Sequence, residues 1–222
     1  MIISRDLTLA ARRSDFSCPC REKKMKQTLC DMLAKRGIRD AFIQLIVTRD
    51  IKGVRESEPH EHVNTLYMFI QPYIWVMEPE MQLTGGLAII AWTVRRTPPG
   101  SIDPTVKNHQ WGDLTCAIQD ARDRGAKYPF LTDDDAYFTE VSGFNVVFVK
   151  DGKIFTADRG VLEGITCKSV FDVARANNIE IRCEVVPVAL TYEADLVPSL
   201  LSELFAHMSC ILCFSLPASL AT

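Results

Sequence analysis

A lysine, an acid and a short helix-start motif are the residues of this 222-residue chain whose types and spacing could do chemistry together. Lys107 follows a Pro-Pro-Gly sequence at residues 98–100, Glu140 precedes a Ser-Gly pair, and Gly-Ile-Thr occupies residues 164–166. A lysine amine can form a Schiff base with an aldehyde, and a carboxylate can keep a ring nitrogen protonated. The N–H groups that begin a helix can bind a phosphate. Together these features fit the aldehyde, the ring and the phosphate of pyridoxal phosphate.

Each of these residues also has an ordinary interpretation when it is taken alone. Lys107 fits a solvated surface lysine, Glu140 fits a surface acid at a strand end, and Thr166 fits a helix N-cap that binds no ligand. Residues 104–106 favour an extended backbone, from which Lys107 would point rigidly at the end of a strand. Asn145 lies within an apolar strand and therefore needs hydrogen-bond partners. The combination, rather than any single residue, indicates a cofactor site.

The elements that must position these residues follow from the hydrophobic periodicity. A helix is expected to end at Gly37, and an Asp-Gly pair at residues 151–152 predicts a tight hairpin. Because three predicted strands follow one another before residue 98, we expect an antiparallel sheet with helices on one side, an α+β pattern. The predicted helices are residues 22–36, 111–124 and 166–177, and the predicted strands are residues 41–48, 65–76, 86–95, 144–149, 153–156 and 179–188.

Composition limits the classes of protein to which the chain can belong. It is 47% hydrophobic and 24% charged, as is typical of a soluble globular protein, and its net charge of -3 gives no electrostatic case for nucleic acid. The eight cysteines form no framework, and His60 and His62 have no third ligand nearby, so we expect no metal site. The N-terminus lacks a long apolar core, which favours a cytoplasmic protein.

Longer runs of sequence carry a resemblance to a known family. From about Cys20 to Asp195 the chain resembles the class IV, fold-type IV pyridoxal-phosphate aminotransferases, which include the branched-chain and D-amino-acid aminotransferases. Within that class it is most similar to the fungal (R)-selective amine transaminases. The runs that carry the resemblance are residues 37–42, 72–77, 93–100, 110–114 and 172–179.

The resemblance implies a function and a set of site residues. The expected activity is pyridoxal-phosphate-dependent transamination of an amine or amino acid with a keto acid, in a homodimer. Lys107 matches the Schiff-base lysine and proton shuttle, and Glu140 matches the partner of the pyridinium nitrogen. The resemblance further assigns Ile165 and Thr166 to the phosphate through their backbone, Leu162 and Asn145 to cofactor binding, Phe42 and Trp111 to the substrate pocket, and Arg55 to the carboxylate of the keto acid.

The resemblance also implies a two-domain fold, α+β or, by some schemes, α/β, of which parts are unmatched. We expect a partial small domain at residues 19–97 and a partial cofactor-binding domain at residues 98–195. Residues 1–18 and an apolar tail at residues 196–222 match nothing in the family, so the small domain would be incomplete and the C-terminal part missing. The tail is a weak candidate for a membrane span, and a buried or poorly ordered tail is the simpler interpretation.

The unmatched ends lead to a second hypothesis of another class. Two anchors of the phosphate would be absent, and charge-assisted bonds to phosphate contribute about 1.5–3 kcal/mol each, so cofactor affinity would fall by orders of magnitude. The alternative is therefore a catalytically impaired or inactive aminotransferase-like remnant, produced as a pseudoenzyme or by altered splicing or a faulty gene model. Such a chain would keep only a role in dimerisation.

Overall fold

The computed structural model describes residues 18–49, 63–75, 78–134 and 136–195, and the backbone of two further strands at Pro198–Leu201 and Leu212–Ser215. The chain divides into two compact units, Met1–Val76 and Met77–Thr222. Both units combine helix with strand, as the predicted α+β class requires. None of the helices in the described part of the chain has the length and apolar character needed to cross a lipid bilayer.

The described residues of the first unit form one helix and one antiparallel strand pair. Helix α1 (Glu22–Arg36) ends at Gly37, whose φ of 65° is left-handed, so the predicted bounds and the predicted stop are both confirmed. Strands β1 (Ala41–Arg49) and β2 (Asn64–Pro72) pair along their full lengths. The prediction that β2 runs to residue 76 was wrong. The strand ends at Pro72, opposite Ala41 where its partner strand begins, and beyond it the Tyr73 N–H still donates to the Asp40 carbonyl.

The second unit is built on a barrel. Six strands of the described residues close in the order β10-β11-β3-β4-β5-β6, with β3 parallel to β4 and β4 antiparallel to β5. A short helix precedes β3, and a longer one lies between β3 and β4. The elements are α2 (Pro79–Thr84), β3 (Gly86–Ile90), α3 (Gly112–Asp123), β4 (Tyr128–Thr132), β5 (Phe138–Val141), β6 (Phe144–Val146), β10 (Pro198–Leu201) and β11 (Leu212–Ser215).

Strand β3 corrects the predicted sheet and the predicted division of the chain. We expected it in an antiparallel sheet of a domain that ends at residue 97, but it pairs in parallel with β4, inside the second unit. Beyond β3, the Ala91 N–H donates to the Phe130 carbonyl and the Arg96 N–H to the Thr132 carbonyl, both at 2.9 Å. Residues 98–100 therefore form a turn within the second unit. The continuous apolar run of β3 is typical of a parallel strand buried on both faces.

A second sheet of three strands packs beside helix α4 (Ile165–Ala176). Strands β7 (Phe148–Lys150) and β8 (Lys153–Ala157) form the predicted hairpin, and its Asp-Gly turn has two positive φ angles, 50° and 69°. Strand β9 (Ile181–Glu184) then pairs in parallel with β8, and helix α5 (Leu190–Glu193) follows. The predicted strand at residues 144–149 is interrupted at Val147, so that β6 belongs to the barrel and β7 to this sheet.

Aromatic packing holds β5, the strand that carries Glu140. The Phe138 ring lies 5.6 Å from the Phe130 ring and 5.0 Å from the Phe148 ring, measured between centroids. All three side chains are at most 3% exposed. Because buried aromatic pairs of this kind prefer a narrow range of geometries, they fix the position of β5 against β4 and β7.

Gly160 lets the loop that follows β8 pass close to β5. Its φ is +71°, and an added Cβ would lie 2.8 Å from the Cγ2 atom of Thr139. Thr139 cannot retreat easily, since it is buried and its hydroxyl donates to the Leu131 carbonyl. We expect Gly160→Ala to lower the free energy of unfolding by about 2–4 kcal/mol, from left-handed strain and overpacking together.

The matched control is Gly152→Ala, since Gly152 shares the positive φ but has open space around its Cα. This variant should lose only the strain component, about 1–2 kcal/mol. Urea unfolding of the two variants and the wild type makes the comparison. Equal losses in both variants would show that the contact with Thr139 is unimportant.

Candidate functional site

A pocket in the second unit brings together five of the residues that the sequence assigns to the site. It has an empty volume of about 490 Å³, is open to solvent, and is bounded by loop residues 104–111 and by the ends of β5 and β6. The predicted site residues that line it are Lys107, Trp111, Glu140, Asn145 and Leu162. Segments that are distant in the sequence therefore meet at one cavity.

Lys107 lies in a braced loop. The Val106 N–H donates to the Asp103 carbonyl at 3.2 Å, and the Asn108 amide donates back to the Val106 carbonyl at 2.8 Å. The Trp111 indole N–H donates to the Asn108 carbonyl at 3.1 Å, which fixes the far side of the loop. The expectation that Lys107 points from a strand end was therefore wrong. Side-chain hydrogen bonds to the backbone, rather than a strand, hold the lysine in place while its side chain stays exposed to the pocket.

Glu140 is a buried carboxylate on β5, with 9% of its surface exposed. Its Oε1 atom accepts a hydrogen bond from Nε of Arg96 at 2.8 Å and forms an ion pair with Nη2 of the same guanidinium, also at 2.8 Å. Its Oε2 atom accepts the Leu162 N–H at 3.3 Å. Burial raises the pKa of Glu140, and the Arg96 charge, the Leu162 N–H and the Lys107 charge offset part of that rise. Lys107 is thus a second cationic side chain near the carboxylate, with a smaller influence on its pKa than Arg96.

Arg96 and Asp113 are two residues beside Glu140 that the sequence did not predict for the site. The Nη1 atom of Arg96 lies 2.5 Å from Oδ2 of Asp113, at the start of α3, so the guanidinium bridges two carboxylates. Asp113 also accepts the backbone N–H groups of Thr97 and Leu114. Although burial alone would raise the pKa of Asp113, the Thr97 N–H and the Arg96 guanidinium hold it below its usual value. The only available signal was that both residues fall in runs that carry the family resemblance.

Leu162 is fixed through its backbone, and Asn145 is one of the groups that fix it. The buried Asn145 amide donates to the Leu162 carbonyl at 2.8 Å, which meets the expectation that this strand asparagine has a partner. The same carbonyl accepts the Gly164 N–H at 2.8 Å. The Leu162 N–H donates to Glu140, so both backbone polar groups of Leu162 are hydrogen-bonded, and they fix Leu162 at the edge of the pocket.

Ile165 and Thr166 form the first turn of α4, directly after Gly164 at the N-cap. Gly164 has an extended backbone with φ -65° and ψ 148°, and no described side chain caps the helix. The N–H groups and the dipole of such a helix start favour an anion. Neither residue is among those that line the pocket, although Leu162 three residues earlier is.

Phe42 and Arg55 are the remaining residues predicted for substrate binding. Phe42 lies on β1, in the first unit. Arg55, His60 and His62 lie outside the described residues. Within the described ranges, no group of three or more His, Cys, Asp or Glu side chains is arranged to hold a metal ion.

The raised pKa of Glu140 leads to a prediction of how the stability of the protein depends on pH. Because burial raises the pKa of Glu140 in the folded chain, ionising it opposes folding, and stability falls as the pH rises through that raised pKa. Glu140→Gln is uncharged at every pH, and Arg96 retains Asp113 as a partner. The variant should therefore gain stability relative to the wild type as the pH rises from about 4 to about 8, with the two close to equal at the acidic end. Urea unfolding across this range measures the difference, and a variant that weakens with rising pH would contradict it.

Comparison with known proteins places this chain in a family. The profile of amino-transferase class IV matches residues 7–197, beginning ahead of the Cys20 region where the resemblance in the sequence starts. The chain therefore belongs to the class IV aminotransferase family, whose members use pyridoxal phosphate.

Individual relatives support the same family. The chain is 27% identical over 188 residues to a Methanocaldococcus jannaschii protein provisionally named a branched-chain-amino-acid aminotransferase, covering 84% of this chain and 64% of that protein. It is 27% identical over 191 residues to the D-alanine aminotransferase of Listeria monocytogenes, covering 79% and 60% respectively. The chain thus spans less than two thirds of the length of these curated relatives.

The fold has close counterparts among solved structures. The branched-chain aminotransferase of the thermophilic archaeon Thermoproteus uzoniensis, solved with norvaline, superposes with a TM-score of 0.83 at 17% identity, covering 96% of this chain and 69% of that one. The branched-chain amino acid aminotransferase of Escherichia coli superposes with a TM-score of 0.80 at 22% identity, covering 97% and 69% respectively. These similarities show that the chains share a fold.

Proposed function

We propose that this protein catalyses pyridoxal-phosphate-dependent transamination between an amine or amino acid and a keto acid. The observation that carries the proposal is the joint presence of Lys107 and Glu140 in one pocket, where the lysine's charge acts on the buried carboxylate. Family membership supports the reaction class, and the shared pocket supports these residues as its site.

The residues present fit the cofactor when they are compared with its three functional groups. Lys107 offers an exposed amine on a braced loop. Glu140 offers a buried carboxylate whose cationic neighbours favour its ionised form, as a partner for a protonated ring nitrogen requires. The start of α4 offers N–H groups and a positive dipole end for the phosphate. When bound, pyridoxal phosphate supplies an aldehyde for covalent capture of amines and a ring that accepts electron density.

Each residue of the proposed site would have a separate role in the reaction. Lys107 would hold the cofactor covalently and then carry a proton on its Nζ atom between two carbon atoms. Glu140 would keep the ring nitrogen protonated, and Leu162 would pack on the ring from its fixed position. Asn145 would keep Leu162 in place, and Ile165 and Thr166 would bind the phosphate through their N–H groups.

The substrate follows from the sequence resemblance and from the pocket. Trp111 is 43% exposed, and its ring is fixed by its bond to Asn108, so it offers a rigid apolar surface to a substrate side chain. The resemblance alone assigns Phe42 to the substrate pocket and Arg55 to the keto acid, and on that basis we propose an (R)-amine or amino acid with an apolar substituent. By the same resemblance the working form would be a homodimer, which sedimentation would test. From the N-terminal sequence we also propose a cytoplasmic location, which cell fractionation would test.

The experiment is titration of the purified protein with pyridoxal phosphate, followed by visible absorption. The proposal predicts saturable binding with a band typical of a protonated Schiff base, and amino transfer from an (R)-amine or a branched-chain or D-amino acid to a keto acid. Saturable binding without turnover of any of these would favour the impaired remnant. No Schiff-base band at millimolar cofactor would overturn the proposal.

A further inference from the structure

The guanidinium of Arg96 lies between two carboxylates that come from distant parts of the second unit. Its Nη1 atom binds Asp113 at the start of α3, while Nε and Nη2 both bind Oε1 of Glu140 on β5. All three side chains are at most 12% exposed. A guanidinium cannot lose its charge and has a rigid planar fork, so it fixes both the charge and the direction of a carboxylate that it binds.

The hydrogen bonds of Glu140 leave one oxygen better able to accept a further proton donor. Each carboxylate oxygen has two lone-pair sites. On Oε1, the Nε–H group of Arg96 occupies one site, and Nη2 lies 2.8 Å from the same oxygen, so the guanidinium covers Oε1. On Oε2, the Leu162 N–H occupies one, which leaves one acceptor site on the oxygen of a side chain that lines the pocket.

Asp113 in turn fixes Arg96. Its Oδ2 atom accepts the Thr97 N–H at 2.7 Å as well as Arg96, and its Oδ1 atom accepts the Leu114 N–H at 2.7 Å. These bonds tie the residue that follows Arg96 to the first turn of α3. Arg96 therefore has little freedom to rotate away from Glu140.

We propose that Arg96 is a positioning residue, which holds the Glu140 carboxylate ionised and turned so that Oε2 presents its remaining acceptor site to the pocket. The inference rests on the proposed function in one respect, namely that a cofactor ring nitrogen is the donor that Oε2 meets. The charged groups that face Glu140 are Arg96 and Lys107, with Asp113 behind Arg96. Of these, Arg96 alone binds the carboxylate directly.

The first test measures Glu140 itself, without cofactor. In protein labelled with ¹³Cδ-glutamate, the Glu140 signal is identified by its absence in Glu140→Gln and titrated by NMR. Arg96→Gln should raise the pKa of Glu140 by about 1–3 units, the range for loss of an adjacent opposite charge. The matched control is Arg95→Gln, which removes the same charge one residue earlier. Arg95 donates to the Ala91 and Trp92 carbonyls, so its replacement should leave the pKa of Glu140 unchanged.

A second variant keeps this test decisive if Arg96→Gln fails to fold. The double variant Arg96→Gln with Asp113→Asn leaves no unpaired Asp113 carboxylate, and it should raise the pKa of Glu140 in the same direction by a smaller amount. Circular dichroism identifies the folded variants. An unchanged pKa in a folded variant that lacks Arg96 would overturn the proposal.

The second test uses pyridoxal phosphate labelled with ¹⁵N in its ring and bound to the protein at mildly alkaline pH. The ring nitrogen should be protonated in the wild type and in Arg95→Gln, and largely unprotonated in Arg96→Gln, with partial recovery in Arg96→Lys. A purely structural role would leave this protonation unchanged in every folded variant, and that result would overturn the proposal. If the wild type binds no cofactor, the proposed function fails, and the titration of Glu140 still decides whether Arg96 controls its charge.

Discussion

Loss of transamination by about 10²–10⁴-fold is the expected result of Lys107→Ala, because the amine that attaches the cofactor and moves the proton is then absent. The variant should remain folded, since the loop is held by bonds of Asn108, Val106 and Trp111 rather than by the lysine. Coupled assays of amino transfer give the rate, and circular dichroism gives the fold.

Lys127→Ala is the matched control for this prediction. Lys127 lies over the Tyr128 ring at 5.7 Å and is not among the residues that line the pocket. The rate of amino transfer in this variant should stay within about twofold of the wild-type rate. The variant loses only an exposed cation–π contact, which contributes roughly 0.5–1 kcal/mol. A Lys107→Ala variant as active as Lys127→Ala would mean that another residue is the catalytic lysine.

The second large effect that we expect is a loss of stability when Arg96 is replaced. Arg96→Gln leaves Glu140 and Asp113 buried without their shared cation, and removing one partner of a buried ion pair costs about 3–5 kcal/mol. The loss should shrink as the pH falls, since each carboxylate can then take up a proton. Urea unfolding at about pH 7.5 and at about pH 5 measures both parts of this prediction.

Arg95→Gln again supplies the control. Arg95 donates only to two backbone carbonyls and lies over the Trp92 ring. Its replacement should therefore lower the free energy of unfolding by less than about 1.5 kcal/mol at either pH. Similar losses for the two arginines would contradict the view that Arg96 neutralises a buried acidic pair.

The sequence predicted those parts of the fold whose conformation is set by neighbouring residues. The left-handed Gly37 ends α1 as expected, and the Asp-Gly pair with two positive φ angles forms the expected hairpin. In both cases the conformation is set within a few residues, by the low cost of positive φ in glycine and by the twist of the strands. The bounds of α1 were correct for the same reason.

Pairings between distant residues could not be predicted in this way. The parallel match of β3 with β4 spans the loop that carries Lys107 and all of α3, and nothing in the short apolar run of β3 identifies its partner. Arg96 lies 17 residues from Asp113 and 44 from Glu140, so no spacing rule relates them. Yet these pairings join the predicted lysine and acid at one pocket.

Lys107 is the residue on which the proposed function depends most, and chemical trapping tests it directly. The protein is incubated with pyridoxal phosphate, reduced with borohydride, digested and analysed by mass spectrometry. We expect the mass of the reduced cofactor on the peptide that contains Lys107, at near-stoichiometric yield, with the other lysines nearly unlabelled. An unlabelled Lys107, or label spread evenly over exposed lysines, would contradict its role as the Schiff-base lysine.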